Sequence, residues 1–327
     1  MHRIHTIPTA ADIRAAAQAI APYIHQTPVL SSQSLNALIG VELYFKCENF
    51  QRIGAFKMRG AACALRALTP EERQRGVVTH SSGNHAQAVA SAARALGIAA
   101  HIVMPTIAPA PKRAATLGYG AKVYDSAPDN QSRQAAADAL IAQHGLVFVS
   151  SADDYNVIAG QATAAKELLG EQPELDILLA PVGAGGLLSG TALTAHYFAP
   201  QTAVWGAEPR MVDDAYRSLQ SGRIEGNDHI MTIADGLRTV LGQRTFGIIR
   251  QHVERIVRVE EATIVKAMRL MWERLKIVVE PSSAVPLAAS MEQPGLFEGQ
   301  RVGIIVTGGN VSLDQLPFCQ CLSAAQP

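Results

Sequence analysis

The segment PVGAGGLLSG, residues 181–190, joins an apolar strand to a helix through a loop of very small residues. Its three glycines, Gly183, Gly185 and Gly186, allow backbone N–H groups to converge at the N-terminus of the helix, an arrangement that suits a phosphate dianion. The loop lacks the Lys-Ser/Thr ending of an ATP-binding loop, and its spacing is not the G-x-G-x-x-G of dinucleotide-binding proteins. From these residues alone, a phosphate site and a plain tight turn are both open.

On both sides of this loop, short apolar runs alternate with alanine-rich helical patterns. Nearly continuous apolar strands indicate burial on both faces, as in parallel sheets that are covered by helices. We therefore predict an α/β fold of two domains, each with a mostly parallel twisted sheet. The predicted strands are residues 41–48, 76–82, 99–105, 121–126, 145–151, 175–183, 203–209 and 301–309, with a short apolar segment at 256–259 in a mainly helical stretch.

Composition restricts the class of protein. The chain has 327 residues, of which 48% are hydrophobic, so it can form two domains with a large core. Its 28 basic and 28 acidic side chains cancel, which argues against nucleic acid or an anionic membrane as a partner. Charged residues make up only 17% of the chain, so a subunit interface, most simply that of a homodimer, could bury extra apolar surface.

The cysteines and the first residues bear on the compartment. The chain opens with MHRIHTIPTA, which is not a secretory signal, and no apolar run reaches transmembrane length. The cysteines, Cys47, Cys63, Cys319 and Cys321, show no paired C-x-x-C spacing. We predict a cytoplasmic protein with free thiols, in which Cys319 and Cys321 are a chance pair and not a metal clip.

Lys57 lies between Phe56 and Met58 in RIGAFKMRGA, residues 52–61. It could sit on the exposed side of a helix that runs from Phe56 to Leu68, since lysine is rarely buried. Alternatively it could be an amine in an apolar pocket, which lowers the pKa and prepares the amine to attack a carbonyl. Together with a phosphate-binding loop, the second interpretation indicates pyridoxal 5'-phosphate.

Two more loops fit that interpretation. HSSGNHAQ, residues 80–87, places polar side chains at the start of a helix, where they could bind a carboxylate or simply cap the helix. Asn84 of this loop could bond the phenolic oxygen of the cofactor. VTGGN, residues 306–310, ends the last strand with Thr307, whose hydroxyl can bond a pyridine nitrogen. All these loops follow the carboxyl ends of parallel strands, where open α/β sheets form their sites.

The motifs GAFKMRGA, SSGNHAQ, PVGAGGLLSG, AEPRMVDDAY, TIADGLRT and VTGGN occur in the order and spacing of the fold type II pyridoxal-phosphate enzymes. From about Ile20 to Asn310, the chain resembles the branch of serine racemases, serine/threonine dehydratases and threo-3-hydroxyaspartate dehydratases. The resemblance implies a fold like that of the tryptophan synthase β subunit. It places a large cofactor-binding domain at residues 1–52 and 150–327, and a small substrate-side domain at 53–149.

The resemblance also implies the roles of individual residues. Lys57 would hold the cofactor covalently and then act as the base, and Ser82 would handle a proton on the opposite face of the substrate. The implied cofactor-binding residues are Phe56, Lys57, Asn84, Gly183, Ala184, Gly185, Gly186, Leu187 and Thr307. The implied substrate-binding residues are Ser81, Ser82, Asn84, His85 and Arg133. The chain departs from many relatives at Ala55, where they have serine, and at Ala184, where they have glycine.

The acidic segment GAEPRMVDDAY, residues 206–216, is a solvated turn or a metal site when judged from its residues alone. By resemblance, Glu208, the backbone carbonyl of Val212 and Asp214 would bind a divalent cation, and such oxygen ligands suit magnesium or calcium. The role of the cation would be structural.

The resemblance implies an ammonia-lyase that converts a β-hydroxy amino acid to a 2-oxo acid and ammonia. Threonine, serine and 3-hydroxyaspartate are all open as substrates, and Arg133 is either a ligand for the far carboxylate of a dicarboxylate or an exposed helix arginine. A serine- or aspartate-type racemase with side elimination activity is the alternative, since Ser82 matches the serine of the racemases. A catalytically silent amino-acid sensor would not need Lys57, and a cysteine-type β-replacement synthase fits the SSGNH loop less well.

Overall fold

The computed structural model describes residues 1–108 and 110–318, so Cys319 and Cys321 lie outside the described residues. Cys47 and Cys63 are buried free thiols, as predicted. The strands are β1 (Val29–Leu30), β2 (Glu42–Cys47), β3 (Val77–His80), β4 (Ala100–Pro105), β5 (Lys122–Ser126), β6 (Val147–Phe148), β7 (Ile177–Pro181), β8 (Ala203–Pro209), β9 (Arg255–Val259) and β10 (Arg301–Val306).

Helices occupy most of the chain between the strands. They are α1 (Ala10–Ile20), α2 (Gln33–Ile39), α3 (Lys57–Arg66), α4 (Pro70–Arg75), α5 (Asn84–Leu96), α6 (Ala110–Gly118), α7 (Asn130–His144), α8 (Tyr155–Glu171), α9 (Gly186–Phe198), α10 (Asp214–Ser221), α11 (Gln243–His252), α12 (Glu261–Leu270) and α13 (Pro281–Glu292). A π-helical turn, Met271–Leu275, follows α12, and short 3₁₀ turns include Glu48–Phe50 and Asp235–Leu237.

A six-stranded sheet has the order β1-β2-β10-β7-β8-β9. All its pairings are parallel except that of β1 with β2. β7 lies between β10 and β8, and each of its residues is buried, which explains its unbroken apolar sequence ILLAP. One core cluster, with α12 and α13, covers one face of this sheet, and a second, with α8 and α9, covers the other.

A four-stranded, wholly parallel sheet has the order β5-β4-β3-β6. The predicted α/β class with mostly parallel sheets is confirmed, and every predicted strand has a counterpart, although β6 is shorter than predicted. The short antiparallel strand β1 has no counterpart among the predicted strands. The six-stranded sheet takes its strands from residues 29–47 and 177–306 and the four-stranded sheet from 77–148, while the domain boundaries themselves stay a prediction.

Parallel pairing brings the carboxyl ends of β7 and β10 to one edge of the larger sheet, and β3 leads into α5 at the corresponding edge of the smaller one. After β10 the chain continues through Thr307 to Gly308. Gly308 forms an isolated antiparallel bridge with Ala55, two residues before the start of α3. Within the described ranges, no helix is both long enough and apolar enough to cross a bilayer.

Candidate active site

Lys57 is the first residue of α3, and its side chain is half-buried. Its Nζ donates a hydrogen bond of 2.7 Å to the carbonyl of Ser151 and lies 5.0 Å from the centre of the Phe56 ring. Burial lowers the pKa of Lys57 from 10.5 to about 8, although the negative charge of Glu280 opposes the shift. Of the two interpretations of Lys57, the structure therefore agrees with the amine in an apolar setting. It does not agree with an exposed helix lysine.

The glycine loop after β7 is tightly enclosed. Gly185 has a φ of 84°, in the left-handed region, and a Cβ there would lie 2.8 Å from Leu241. A Cβ on Gly183 would lie 3.0 Å from the backbone of Leu237. The N–H groups in the first turn of α9 have no partner within the helix and point into this loop. Ala184 is half-buried and not enclosed in this way, so its methyl group is accommodated.

Residues 151 and 152 bring the glycine loop and Lys57 together. Ser151 accepts the hydrogen bond from Lys57, and its neighbour Ala152 lies 3.0 Å from the position that a Cβ on Gly186 would occupy. One dipeptide thus contacts both the amine and the N-terminus of α9. Lys57 and the glycine loop are more than 100 residues apart in the chain, so only this packing makes them neighbours.

Asn84 begins α5, and protein groups hold its amide on both sides. Its Nδ2 donates to both carboxylate oxygens of Glu280, at 2.9 and 3.1 Å, and its Oδ1 accepts from Asn310 at 2.8 Å. Burial raises the pKa of Glu280 to about 7, the charge of Asp235 adds to this, and the hydrogen bond from Asn84 opposes it. The orientation of Asn84 is therefore fixed, while its contact with a cofactor stays a prediction.

Thr307 is buried at the end of β10, with 3% of its surface exposed. Its Oγ1 lies 2.9 Å from the Oγ of Ser283 in the first turn of α13. The same Ser283 hydroxyl accepts from the N–H of Gly308 at 2.8 Å. The hydroxyl of Thr307 is thus positioned by α13 at the edge where the glycine loop also lies.

The loop from β3 to α5 holds the Ser81 hydroxyl, which accepts from the N–H of Gly83 at 3.2 Å, and leaves that of Ser82 free. Ser81, Ser82 and Gly83 are half-buried, and no described residue forms a hydrogen bond with the hydroxyl of Ser82. His85 is buried, and its Nε2 lies 3.1 Å from the carbonyl of Val149. Burial lowers the pKa of His85 to about 3, helped by the charge of Lys57, so the ring is neutral at physiological pH. His85 can therefore serve an anion only through its backbone N–H at the start of α5.

Arg133 lies in the first turn of α7 and bonds the side chain of Asn130 and, at 3.4 Å, the carbonyl of Asp129. It is half-buried, and both alternatives for its role stay predictions. Burial lowers its pKa, and its charge in turn lowers the pKa of His80, the residue just before Ser81. The next residue of α7, Gln134, lies with its Oε1 3.0 Å from the Nε2 of His80, so the start of α7 is close to the Ser81 loop.

Glu208 and Asp214 are both fully buried, so the solvated acidic turn that the residues alone left open is wrong. Glu208 accepts hydrogen bonds from the backbone N–H groups of Ala215 and Tyr216, at 3.1 and 2.9 Å, and thereby caps α10. Burial and the neighbouring charge of Asp214 raise the pKa of Glu208 well above its usual range, and burial raises that of Asp214 to about 6. The Oδ2 of Asp214 is buried without a partner in the described residues. Among the residues that the structure describes, no group of three or more His, Cys, Asp or Glu side chains is placed so that it could hold a metal ion.

Comparison with known proteins identifies the family. Residues 20–308 match the protein family described as pyridoxal-phosphate dependent enzyme. The chain belongs to this family. Beta-hydroxyaspartate dehydratase of Paracoccus denitrificans (strain Pd 1222) is 47% identical over 312 residues, which cover 95% of this chain and 99% of that protein. Serine racemase of Dictyostelium discoideum is 46% identical over 312 residues, 94% of this chain and 96% of that protein. The solved structure of maize serine racemase has a TM-score of 0.93 and 41% identity, and the match covers 98% of each chain.

The residues of this pyridoxal-phosphate dependent enzyme fit the cofactor. The glycine loop leaves no room for side chains at Gly183 and Gly185 and lies at the N-terminus of α9, as a phosphate site requires, and Lys57 has the lowered pKa that an amine needs for reaction with an aldehyde. The predicted family, the type II fold, and the prediction of a pyridoxal-phosphate dependent enzyme are confirmed. The dehydratase interpretation and its racemase alternative each agree with the name of a relative.

Sequence reasoning missed several residues that organise the site. Glu280 orients Asn84, Ser283 orients Thr307, and Ser151 accepts the hydrogen bond from Lys57. These residues lie outside the glycine-rich motifs, and a single acid or serine carries no pattern. Asn310 is the exception, because it ends the VTGGN motif and bonds both Asn84 and, at 2.7 Å, the carbonyl of Ile53.

Proposed function

We propose that this enzyme is an ammonia-lyase that converts a β-hydroxy amino acid to a 2-oxo acid and ammonia. The observation that carries the proposal is the half-buried Lys57, with its pKa near 8, beside the enclosed glycine loop. The name of the Paracoccus relative supports a 3-hydroxyaspartate substrate, and Arg133 would supply a cation for its second carboxylate, since its neighbour Gln134 bonds His80 just before the Ser81 loop. Serine and threonine are the other substrates of this class.

The cofactor would be held along the edge of the six-stranded sheet. Gly183, Ala184, Gly185, Gly186 and Leu187 would hold its phosphate, Thr307 its ring nitrogen, Asn84 its phenolic oxygen and Lys57 its aldehyde carbon, with Phe56 near the ring. When bound, the cofactor supplies the electron sink for charge that develops at the substrate Cα. With a neutral hydroxyl at the ring nitrogen in place of an acid, that nitrogen need not be protonated, which favours loss of the β-hydroxyl over return of the proton.

Proton transfer at Cα would fall to Lys57. Its pKa near 8 leaves a useful fraction of neutral amine at physiological pH, so the amine can accept the α-proton once it is released from the cofactor. The substrate carboxylate would lie at the start of α5, against Ser81, Asn84 and the backbone N–H of His85. Departure of the β-hydroxyl and hydrolysis of the remaining nitrogen group account for both products, the 2-oxo acid and ammonia.

Racemisation is the second candidate function, and Ser82 is the observation that favours it. A racemase needs a proton donor on each face of the substrate, and the hydroxyl of Ser82 has no partner among the described residues. The Dictyostelium and maize proteins named serine racemase add to this support. We propose elimination as the main activity and racemisation as the minor one.

We propose further that Glu208, the carbonyl of Val212 and Asp214 bind a magnesium or calcium ion with a structural role. The support is the pair of buried carboxylates with raised pKa values and the unpartnered Oδ2 of Asp214, which a cation would satisfy. The domain division at residues 53–149, a homodimer, and a place in the cytoplasm complete the proposal. Exposed apolar side chains such as Phe50 and Val278 support a subunit interface.

Release of 2-oxo acid from a panel of β-hydroxy amino acids, in both chiral forms, tests the main proposal. We expect turnover of at least one L-β-hydroxy amino acid with equal amounts of ammonia and 2-oxo acid. Racemisation without release of ammonia would reverse the order of the two functions. Absence of both reactions in protein that carries the cofactor would favour the sensor.

A further inference from the structure

The position of Lys57 at the start of α3 requires an anchor, because the helix has no side-chain cap. Phe56 occupies the N-cap position and its side chain caps no N–H group, while the Oε1 of Gln161 on α8 accepts from the N–H of Gly60 at 3.1 Å. Upstream, the backbone is held by the Ala55–Gly308 bridge and by a 3.0 Å hydrogen bond from the Phe56 N–H to the Thr307 carbonyl. These bonds fix where the helix starts, but they leave its rotation about its own axis to contacts further along.

Arg59, two residues after Lys57, is the largest fully buried side chain near the site. It bonds both oxygens of Glu48, at 2.7 and 2.8 Å, and both oxygens of Glu167, each at 2.7 Å. A fifth bond of 3.0 Å reaches the hydroxyl of Thr163. All the N–H groups of the guanidinium are thus used, in a planar geometry that lysine cannot reproduce.

The partners of Arg59 belong to the six-stranded sheet and the helix that covers it. Glu48 directly follows β2, whereas Thr163 and Glu167 lie on α8. The α3 and α8 backbones meet where a Cβ on Gly160 would lie 2.6 Å from the carbonyl of Arg59. In turn, α8 packs on α9, where a Cβ on Gly190 would lie 2.6 Å from the backbone of Ala162. Arg59 is therefore connected, through two close helix contacts, to the helix that starts at the glycine loop.

The opposite charges of Arg59 and its two glutamate partners keep these groups ionised although they are buried or half-buried. Burial alone would lower the pKa of Arg59, but the charges of Glu48 and Glu167 hold it above its usual value. Burial would likewise raise the pKa of Glu167, but Arg59 and Lys46 hold it below its usual range. Lys46, fully buried on β2, lies 2.9 Å from Glu167. The cluster needs no ligand, since each buried charge already has a partner of opposite sign.

Residues two apart in a helix point about 200° apart around its axis, so Arg59 faces away from Lys57. The geometry points to Arg59 as a positioning residue: its bonds to Glu48 and Glu167 fix the rotation of α3 and thereby direct the Lys57 amine to Ser151 and the glycine loop. This inference rests on the proposed role of Lys57 as the amine that binds the cofactor. Arg59 itself would touch neither cofactor nor substrate.

The test compares Arg59→Lys with Lys46→Met. Arg59→Lys keeps the positive charge but cannot form the paired hydrogen bonds to Glu48 and Glu167. Lys46→Met removes a buried cation from the same cluster without changing α3. In the full-length chain freed of cofactor, the reactivity of Lys57 toward an amine reagent is followed against pH by peptide mapping. The charged and titratable groups that act on Lys57, Glu280 and His85, remain unchanged in both variants.

We expect Arg59→Lys to move the midpoint of Lys57 labelling from near 8 toward 10.5, since an amine that leaves its buried position regains its usual pKa. In the holoenzyme, kcat should fall about 100-fold with little change in KM, because misplacement of a reacting group by about 1 Å costs about that much. Lys46→Met should lower the melting temperature about as much as Arg59→Lys does. It should leave the midpoint of Lys57 labelling unchanged.

Equal midpoints in Arg59→Lys and Lys46→Met would overturn the inference, because the cluster would then act only on stability. If Arg59→Lys does not fold, Thr163→Val, which removes one of the bonds and no charge, is read in the same way with a smaller shift. Trapping of the cofactor on another lysine would instead refute the proposed role of Lys57, without bearing on whether Arg59 sets the position of that side chain.

Discussion

The two edges of the site differ in how completely their polar groups are satisfied. At the edge of the six-stranded sheet, Gly185, Thr307 and Glu280 are buried, and the two polar side chains have protein partners. At the edge of the four-stranded sheet, Ser82 and Arg133 are half-buried, and the Ser82 hydroxyl has no partner in the part of the chain that the structure describes. The first edge is therefore the more rigid one, where we propose that the cofactor binds, and the second leaves the Ser82 hydroxyl available for the proposed substrate. Reaction type and substrate choice should therefore depend on the second edge.

The largest effect should come from Lys57, the group that connects the two edges. Lys57→Ala should lower ammonia release by about 10⁴-fold or more, because it removes both the covalent anchor and the base. Borohydride reduction of the native enzyme should fix the cofactor on Lys57 and on no other lysine, as checked by peptide mapping. Lys122→Ala, a change of an exposed lysine on β5, is the control and should leave activity unchanged.

The same variant should not lose stability when it is measured without cofactor. Because the folded pKa of Lys57 lies below the unfolded value, its burial opposes folding below about pH 8, and this penalty disappears as the pH rises to 10.5. Lys57→Ala should therefore melt at the same or a higher temperature at pH 7. A large drop in melting temperature would show that Lys57 stabilises the fold in a way that its contacts in the structure do not explain.

Ser82→Ala tests whether the four-stranded edge decides the type of reaction. Racemisation and turnover of D-substrates should fall by about 10²- to 10⁴-fold, since the face opposite Lys57 would lose its acid or base. Release of ammonia from the L-substrate should change far less, because its α-proton faces Lys57. Equal losses in both reactions would mean that Ser82 only holds the substrate in place.

Removal of the proposed cation should weaken the six-stranded side and not the four-stranded one. A cation at about 100 times its dissociation constant contributes roughly 2.7 kcal/mol to the free energy of unfolding. Chelation should lower the melting temperature accordingly, and Asp214→Asn should abolish the response to chelator. An unchanged melting temperature after thorough chelation would leave Glu208 as a helix cap only.

The cation effect should depend on pH in a definite direction. The pKa of Asp214 is raised from 3.8 to about 6, so the folded chain without cation keeps a proton that the unfolded chain loses, and stability falls as pH rises between these values. A cation binds the ionised carboxylate and cancels this loss. The difference in melting temperature between loaded and chelated enzyme should thus be larger at pH 7.5 than at pH 5.

The smallest effect is expected at Arg133 and should appear with one class of substrate. Arg133→Gln should lower kcat/KM for a dicarboxylate such as 3-hydroxyaspartate by about ten- to a hundred-fold, the value of a hydrogen bond to a charged group. Serine and threonine, which lack the second carboxylate, should be affected much less. Arg113→Gln, which breaks a surface pair with Asp125, is the matched control. An equal loss with all substrates would assign Arg133 to the stability of α7.

The α/β class and the lysine, glycine-loop and VTGGN motifs of the candidate site could be predicted from the residues alone. Continuous apolar runs such as ILLAP favour burial on both faces and so predict parallel strands, and a glycine loop between strand and helix indicates either an anion site or a tight turn. These features are local, because each depends on residues that are neighbours in the chain. The lysine motif and the VTGGN loop could be found for the same reason.

The effect of these parts on one another depends on contacts between distant parts of the chain and could not be predicted. The pKa of Lys57 depends on burial and on Glu280, and the buried state of Glu208 and Asp214 depends on the packing of β8 and α10. The motif gave no sign of a role for Arg59, because its partners Glu48, just after β2, and Glu167, on α8, lie 11 and 108 residues away. Burial and charge pairing are properties of the assembled core, because the desolvation of a group depends on atoms brought near it by distant parts of the chain.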